Sequence, residues 1–301
     1  MSFFEGENCF SNFKPFFRTS DLGLICVNPS EKSEIQIVLR YWPFKNYKQI
    51  AKTSKRFHIE PEHEELVKKE WQNSVIGGDL SFDDEKVIDK VMKKIRKSYD
   101  FNEAEDSVER KPNKKLKISS DENSEPKKEE NIEKLAQDSF DQWLNGYEPL
   151  VRKSVYCTRG KILEKYIIDK TNKTKNFNFV HNEMVKSFDF GLFKLFGVPD
   201  GIDYEKKIFI EVKTRTSINQ DQPTVYPKEK IQCLCYMKML NYQKCILVES
   251  NDKGEQNSIE INWDESEFEE KVLSKLRDFV QKYRNVTGNE FMDAVKKYYN
   301  F

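Results

Sequence analysis

Two short strands around a polar turn, between Gly197 and Lys213, are the sequence feature that most constrains this chain. The first strand ends in Pro199-Asp200-Gly201, and alternation along the second places Glu211 and Lys213 on one face. A hairpin here brings two carboxylates and an ammonium group close together. Burying such a cluster is costly unless positive charge lies among the carboxylates. A divalent cation with oxygen ligands is the usual source of that charge.

Asp200, Glu211 and Lys213 together suit the hydrolysis of a phosphodiester. That reaction needs an activated water and a way to stabilise charge on the phosphate and the leaving oxygen, which bound Mg²⁺ supplies. In this hypothesis Asp200 and Glu211 hold the metal, and the backbone carbonyl of Val212 completes its shell. Lys213 orients the water and balances charge. The alternative is purely structural, because Asp-Gly is a common turn and Glu-x-Lys a common exposed pair.

Composition narrows the class of protein only in part. The 301 residues carry 51 basic and 51 acidic side chains, so any surface that attracts nucleic acid must be local. A hydrophobic fraction of 37% is enough for one good core, and the length predicts about two domains. Six cysteines without zinc spacing indicate reduced thiols in the cytosol or nucleus. No apolar run approaches a membrane span, so no membrane partner is expected.

Residues 1–101 are predicted to be an N-terminal accessory region of mixed or helical structure. Glu34–Trp42 has the pattern of a strand, and Pro61–Trp71 and Asp83–Tyr99 have helical patterns. Two roles remain open for this region: packing on the main domain, or acting as an arm that binds a protein partner or guides DNA.

Residues 102–131 are predicted to be a disordered, charged linker. Glu, Lys, Ser, Asn and Pro dominate, so the segment cannot bury enough apolar surface to offset its ordering entropy. Its basic run, Arg110–Lys117, is either a solvated linker, a nuclear-import signal or a phosphate-contacting patch. The protein is therefore expected in the nucleus or the cytoplasm.

Residues 132–301 are predicted to form an α/β domain, a mixed β-sheet flanked by helices. A first helix is expected to close near Gly146, and a second to start with Thr158 as its cap. The elements expected further along are strands within 178–198, the hairpin, a helix over 228–240, a buried strand over 244–249, an edge strand over 258–263, and helices over 265–283 and 290–299.

Four ordered motifs resemble a known superfamily. Pro199-Asp200 followed by Glu211-Val212-Lys213 resembles the PD-(D/E)XK nuclease signature. Arg159–Glu164 is similar to the RGxxxE helix of its lambda-exonuclease and YqaJ viral-recombinase branch. The segment 198–202 is similar to the branch's SPDGL motif, with Val in place of Ser, and Gln232 with Tyr236 resembles its QxxxY helix. The resemblance covers residues 135 to 250.

This resemblance implies a restriction-endonuclease-like core and a site that binds Mg²⁺, with Mn²⁺ as a substitute. It adds Glu164 as a metal ligand and catalytic residue, and places Gln232 beside the lysine and the attacking water. Arg159, Lys161 and Arg215 are expected to contact phosphates, and Tyr236 to contribute to nucleic-acid binding.

The sequence thus predicts a metal-dependent DNA nuclease, an exonuclease or end-processing enzyme of DNA repair or recombination. Two alternatives remain: a catalytically silent nucleic-acid-binding or assembly protein on the same fold, and an endonuclease that cleaves RNA.

Overall fold

The computed structural model describes residues 14–42, 59–75, 83–99, 127–215, 217–219, 223–251 and 256–299. The strands in these ranges are β1 (Phe16–Arg18), β2 (Val180–His181), β3 (Lys186–Asp189), β4 (Lys194–Gly197), β5 (Gly201–Asp203), β6 (Ile208–Thr214), β7 (Lys244–Ser250) and β8 (Gln256–Asn262). The α-helices are α1 (Gly23–Cys26), α2 (Glu31–Tyr41), α3 (Pro61–Val75), α4 (Asp84–Tyr99), α5 (Lys127–Lys175), α6 (Pro227–Leu240), α7 (Glu265–Phe268), α8 (Lys275–Arg284) and α9 (Gly288–Tyr298). A π-helical segment, Glu269–Ser274, joins α7 to α8.

The chain forms two compact units. The first contains residues 1–58 and 160–301, and the second contains residues 59–159. All the strands of the described ranges belong to the first unit, whereas the described part of the second consists of helices. Residues of α5 up to Arg159 belong to the second unit, and those from Gly160 onward to the first.

The first unit contains two mixed sheets. The larger has the strand order β2-β5-β6-β7-β8, in which β6 and β7 are parallel and the other neighbours antiparallel. The smaller has the order β1-β4-β3, with β1 parallel and β3 antiparallel to β4. These sheets are flanked by helices, which confirms the predicted α/β fold class.

The path from β5 to β7 follows the sequence pattern closely. β5 and β6 form a hairpin, with Gly201 opposite Ile210. The predicted end of its first strand at Pro199-Asp200-Gly201 is wrong, because β5 begins at Gly201 and the turn lies at 204–207. Pro227 opens α6 in its first turn, where a missing N–H costs little, and Asn241 ends the helix in the left-handed conformation with φ of 56°. The helix returns the chain to β7, whose residues after Lys244 are all buried, as predicted for a strand covered on both faces.

Residues 14–42 share the core of the first unit. Phe17 is completely buried, and its ring centroid lies 6.1 Å from that of Phe193 and 5.8 Å from that of Phe279. From α2, Ile35 and Val38 are buried in the same apolar cluster. The sequence placed this segment in an accessory region, and of the two roles considered there, these contacts support packing. The predicted boundary at residue 101 lies outside the described residues.

The predicted strand over 34–42 is wrong, because the segment forms most of α2. Ser30 caps the helix and forms a reciprocal capping box with Ser33. β-Branched residues favoured a strand, but Ile35, Val38 and Leu39 lie at helical spacing and are buried. Tertiary packing of this face therefore overrides the local strand propensity.

The predicted helix end near Gly146 and the predicted cap at Thr158 are also wrong, because α5 runs unbroken from Lys127 to Lys175 with Pro149 inside it. An internal proline removes a hydrogen bond and costs about 3 kcal/mol. Leu144, Val151 and Val155 lie on one face of the helix, on both sides of Pro149, and are buried. Their burial offsets the free-energy cost of the proline. Residues 127–131, predicted to be disordered, also belong to this helix.

Two further expectations concern other parts of the chain. The basic run Arg110–Lys117 lies outside the described residues, so its role in nuclear import stays a prediction. In the described ranges, none of the helices combines the length and the apolar character needed to cross a membrane.

Candidate active site

Glu211, Lys213 and Gln232 meet at the carboxyl end of β6. Strand alternation puts Glu211 and Lys213 on one face, where Lys213 Nζ lies 2.6 Å from Glu211 Oε1. Lys213 Nζ also donates to Gln232 Oε1 on α6, at 3.1 Å. Only 2% of Glu211 and 8% of Gln232 are exposed. The hairpin strand and the following helix therefore build a hydrogen-bonded trio in which Glu211 and Gln232 are buried and 22% of the Lys213 side chain is exposed.

Asp200 lies beside this trio, in the bend that immediately precedes β5. Its Oδ2 accepts a hydrogen bond of 2.6 Å from the backbone N–H of Val212. Buried Asn182 holds the segment in place, since its backbone N–H donates to the Asp200 carbonyl and its side-chain amide to the Pro199 carbonyl, both at 3.0 Å. Val212 therefore contacts Asp200 through its N–H, and the metal contact predicted for its carbonyl stays a prediction.

Glu164 reaches the same region from α5 and makes a contact that sequence reasoning missed. Glu164 Oε1 lies 2.9 Å from Nε2 of His181. His181 is in β2, directly opposite Gly201 of β5 in the antiparallel register. No residue spacing pointed to this histidine, because only the pairing of β2 with β5 brings it close to the carboxylates.

The three carboxyl groups interact electrostatically. Burial raises the pKa of Asp200 well above its usual value, and the charges of Glu211 and Glu164 raise it further. Burial also raises the pKa of Glu164, with a further rise from Glu211 that His181 opposes. The pKa of Glu211 is raised by burial against the lowering effect of Lys213. Ionisation of all three carboxyl groups is therefore unfavourable without positive charge beyond that of Lys213.

Lys213 is a charged ammonium group in this environment. Burial acts to lower its pKa, but the carboxylates of Glu211 and Asp200 outweigh that effect and the net pKa is raised. The lysine is thus fixed as a cation and hydrogen-bond donor, which suits charge stabilisation and excludes a role as a neutral base.

The residues fit a divalent cation in donor chemistry and in charge. Carboxylate oxygens are the ligands that Mg²⁺ prefers, and Glu211 Oε2 is buried without a hydrogen-bond partner. In their present orientation the carboxylates face protein groups, and within the described ranges no three His, Cys, Asp or Glu side chains form a ready-made metal cluster. The contacts with His181 and the Val212 N–H occupy one oxygen each, Glu164 Oε1 and Asp200 Oδ2, so each carboxylate has a second oxygen with which it could bind an ion.

Tyr236, predicted to contribute to nucleic-acid binding, lies in the core with 2% of its surface exposed. Its hydroxyl donates to the carbonyl of Val198 at 3.1 Å and accepts from Nε2 of Gln232 at 3.3 Å. The ring packs edge-on against Phe209. Tyr236 thereby links the side chain of Gln232 to the backbone of Val198, two residues before Asp200.

The three predicted phosphate contacts have different surroundings. Lys161 is exposed on α5, and its charge opposes the rise in the pKa of Glu164. Arg159 belongs to the second unit, where it is buried and paired with Asp84. Arg215 is largely buried and paired with two carboxylates. Of these three, Lys161 alone presents an exposed side chain next to the carboxylates.

Comparison with known proteins gives partial structural matches. No protein-family model and no curated protein match this chain. The alkaline exonuclease of Laribacter hongkongensis matches with a TM-score of 0.35 and 16% identity, over 47% of this chain and 73% of that one. Its complex with dAMP gives the same values. A phage-related exonuclease from Haemophilus somnus 129PT matches with a TM-score of 0.34 and 13% identity, over 47% and 73% of the two chains. These neighbours are described as exonucleases.

Proposed function

We propose that this protein is a metal-dependent nuclease that hydrolyses phosphodiester bonds. The supporting observation is the hydrogen-bonded trio of Glu211, Lys213 and Gln232 with the carboxylates of Asp200 and Glu164 beside it. Burial of the Asp200 and Glu211 carboxyl groups raises their pKa and is costly for folding, and acidic groups perturbed in this way concentrate at functional sites. Glu-x-Lys on a strand commonly forms an ion pair on the protein surface. Such a pair would not require a buried glutamate or a glutamine bound to the lysine.

Each residue has a distinct role in the proposed reaction. Glu164, Asp200 and Glu211 would hold Mg²⁺, or Mn²⁺ as a substitute, which when bound supplies an activated water and charge stabilisation. Lys213 keeps its proton at Nζ and stabilises the negative charge that develops on the phosphate. Gln232 fixes the direction of the ammonium group by accepting one of its hydrogen bonds. In this proposal Lys213, directed by Gln232, would orient the attacking water.

DNA is the proposed substrate, with an exonuclease or end-processing role in repair or recombination. Lys161, exposed beside Glu164, is suited to contact a backbone phosphate. The basic run Arg110–Lys117 adds a nuclear location to the proposal. If this run is an import signal, a fluorescent fusion lacking it should leave the nucleus.

The direct test is digestion of DNA labelled at either the 5′ or the 3′ end, as duplex and as single strand, with Mg²⁺, Mn²⁺ or EDTA. We expect cleavage that requires the divalent ion, and the pattern of labelled products distinguishes exonuclease from endonuclease action. RNA of the same sequence serves as the comparison substrate. The absence of cleavage with either metal on every substrate would refute the proposal.

A second candidate function is nucleic-acid binding without turnover on the same fold. One observation favours it: Glu164 and Asp200 contact His181 and the Val212 N–H, and among the described residues no three His, Cys, Asp or Glu side chains form a ready-made metal cluster. Retained DNA binding together with no cleavage in the digestion assay would select this candidate.

A further inference from the structure

Arg215 is the centre of a buried ion-pair network next to the proposed active site. The residue follows β6, two positions after Lys213. Its Nε lies 2.5 Å from Glu249 Oε1, and its two terminal nitrogens lie 3.0 and 2.7 Å from the two carboxylate oxygens of Glu229. Of the two carboxylate side chains, 1% of Glu249 and 5% of Glu229 are exposed. Such two-pronged pairing fixes the plane of a guanidinium group.

The network joins the elements that carry the trio. Glu249 is directly opposite Lys213 in the parallel register of β6 and β7. Glu229 lies in the first turn of α6, three residues before Gln232. The backbone N–H of Arg215 also donates to the carbonyl of Ser250 at 2.8 Å. One guanidinium thus ties the end of β6 to β7 and to the start of the helix that supplies Gln232.

Two residues just before α6, Thr224 and Tyr226, also contact this network. Arg215 donates from a terminal nitrogen to the carbonyl of Thr224 at 3.2 Å, and Glu249 Oε2 accepts from the backbone N–H of Thr224 at 3.0 Å. The ring of Tyr226 lies over the guanidinium, 4.6 Å from the ring centroid to the central carbon. Every nitrogen of the Arg215 side chain therefore has a protein acceptor.

A role of Arg215 as a phosphate contact conflicts with this arrangement. To reach a phosphate, the guanidinium would have to leave two buried carboxylates, which would then be unpaired in a low-dielectric environment. Freeing Glu229 from its arginine would also leave its carboxylate, only 5% exposed and three residues before Gln232, without a cation in the first turn of α6.

We propose that Arg215 is a positioning residue that sets the placement of Gln232 against Lys213, and that it does not bind DNA. This inference rests on the proposed nuclease function. In this inference, the ion pairs of Arg215 with Glu229 and Glu249 hold Gln232 in the position from which it accepts the hydrogen bond of Lys213.

The test compares Arg215→Met with the wild-type chain. We expect kcat to fall by about tenfold or more, with DNA affinity changed by less than about twofold. The slope of log Kd against log salt should stay unchanged, since each lost duplex phosphate contact would lower it by about 0.9. Lys161→Met provides the comparison for the slope, because its exposed ammonium group is expected to show that decrease. A reduced slope in Arg215→Met, with kcat retained, would overturn the proposal.

A triple variant separates positioning from general stability. Arg215→Met combined with Glu229→Gln and Glu249→Gln removes the unpaired charges, so its melting temperature should recover relative to Arg215→Met. The rate should stay low, because the neutral network no longer fixes α6 against β6. If stability and rate recovered together, Arg215 would be merely structural. Arg277→Met, which removes an exposed arginine paired with Glu269, is the control expected to change neither.

Two readouts do not depend on turnover. DNA binding is measured in EDTA, and the side-chain amide resonances of Gln232, identified by their loss in Gln232→Ala, are followed by NMR. We expect these resonances to shift in Arg215→Met and in the triple variant, but not in Arg277→Met. Unshifted resonances in Arg215→Met would refute the positioning role, whereas absence of cleavage by the wild-type chain would refute only the proposed nuclease function.

Discussion

At the scale of single residues, Lys213 is the side chain on which the proposed chemistry depends most. It is the cation nearest to Glu211, and its raised pKa keeps it charged. Removing one electrostatic stabiliser of this kind costs roughly 10²- to 10³-fold in rate. We therefore expect Lys213→Ala to lower kcat by at least about two orders of magnitude while DNA binding, measured in EDTA, is retained.

A matched lysine on the same sheet tests the specificity of that effect. Lys244 begins β7 and is opposite Ile208, so it lies at the far end of the β6–β7 pair from Lys213. Its exposed ammonium group pairs with Glu260. Lys244→Ala should cleave DNA at the wild-type rate. A near wild-type rate in Lys213→Ala as well would remove the lysine from the proposed mechanism.

Asp200 gives a prediction about stability instead of rate. Its pKa is raised by burial and by Glu211 and Glu164, so at neutral pH folding must either bury its charge or take up a proton. Asp200→Asn keeps an oxygen for the Val212 N–H and removes this cost. In EDTA at pH 7 we expect stabilisation of about 1 kcal/mol, a rise in melting temperature of about 2 to 4 °C, together with loss of cleavage.

Asp203, three residues further along in β5, is the control, because its pKa is shifted in the opposite direction. It is buried, and its carboxylate accepts backbone hydrogen bonds from Asn178 and Lys206, at 3.0 and 2.9 Å. Burial acts to raise the pKa of Asp203, but these hydrogen bonds outweigh it and the net pKa is lowered, so the folded state favours the charged form. Asp203→Asn should therefore lower the melting temperature. A fall of similar size in Asp200→Asn would show that carboxylate repulsion does not limit stability.

At the scale of elements, the sequence predicts what is local and continuous. The second hairpin strand, α6 and β7 follow one another, and their alternation and apolar runs place them within one residue at each end. Alternation along β6 puts Glu211 and Lys213 together, whereas the place of Gln232 beside the lysine is implied only by the resemblance to the QxxxY helix. The surroundings of Arg215 and the contact between His181 and Glu164 depend on pairing between elements, which no local pattern encodes.

Gly201 shows how closely β5 is packed among its neighbours. A Cβ there would lie 2.8 Å from Ile210 Cγ2, 3.2 Å from Ile168 Cδ1 and 3.3 Å from the carbonyl oxygen of Val180. β6, α5 and β2 therefore all approach the residue that follows Asp200. We expect Gly201→Ala to destabilise the protein by about 1 to 3 kcal/mol in urea unfolding, because a packed core must shift to admit a methyl group.

Gly146 is the matched glycine with open surroundings. It lies inside α5, and a Cβ there would meet nothing within 4 Å. Gly146→Ala should stabilise its helix by about 0.5 to 1 kcal/mol, since alanine loses less backbone entropy on folding. If Gly201→Ala unfolded at the wild-type urea concentration, the close approach of these elements would not contribute to stability.

At the scale of the whole molecule, the N-terminal segment is part of the first unit. β1 pairs with β4, and Phe17, Ile35 and Val38 are buried with residues from the far end of the chain, including Phe279 and Val295. The sequence could not predict this packing. β1 has only three residues, and α2 is rich in β-branched residues, so neither pattern indicates which distant part of the chain the element contacts. A chain shortened to residues 132–301 would lack this part of the core.

Replacing Phe17 measures how much residues 14–42 contribute to the stability of the first unit. Its side chain is fully buried, whereas Phe188, in β3 of the same three-stranded sheet, is 40% exposed. Truncating a buried phenylalanine costs about 3 to 5 kcal/mol through lost transfer free energy and the cavity left behind. Phe17→Ala should therefore lower the free energy of unfolding by that amount in urea titrations followed by circular dichroism, and Phe188→Ala by a small fraction of it. Equal, small effects would mean that residues 14–42 pack loosely, and the first unit would then fold from residues 160–301 alone.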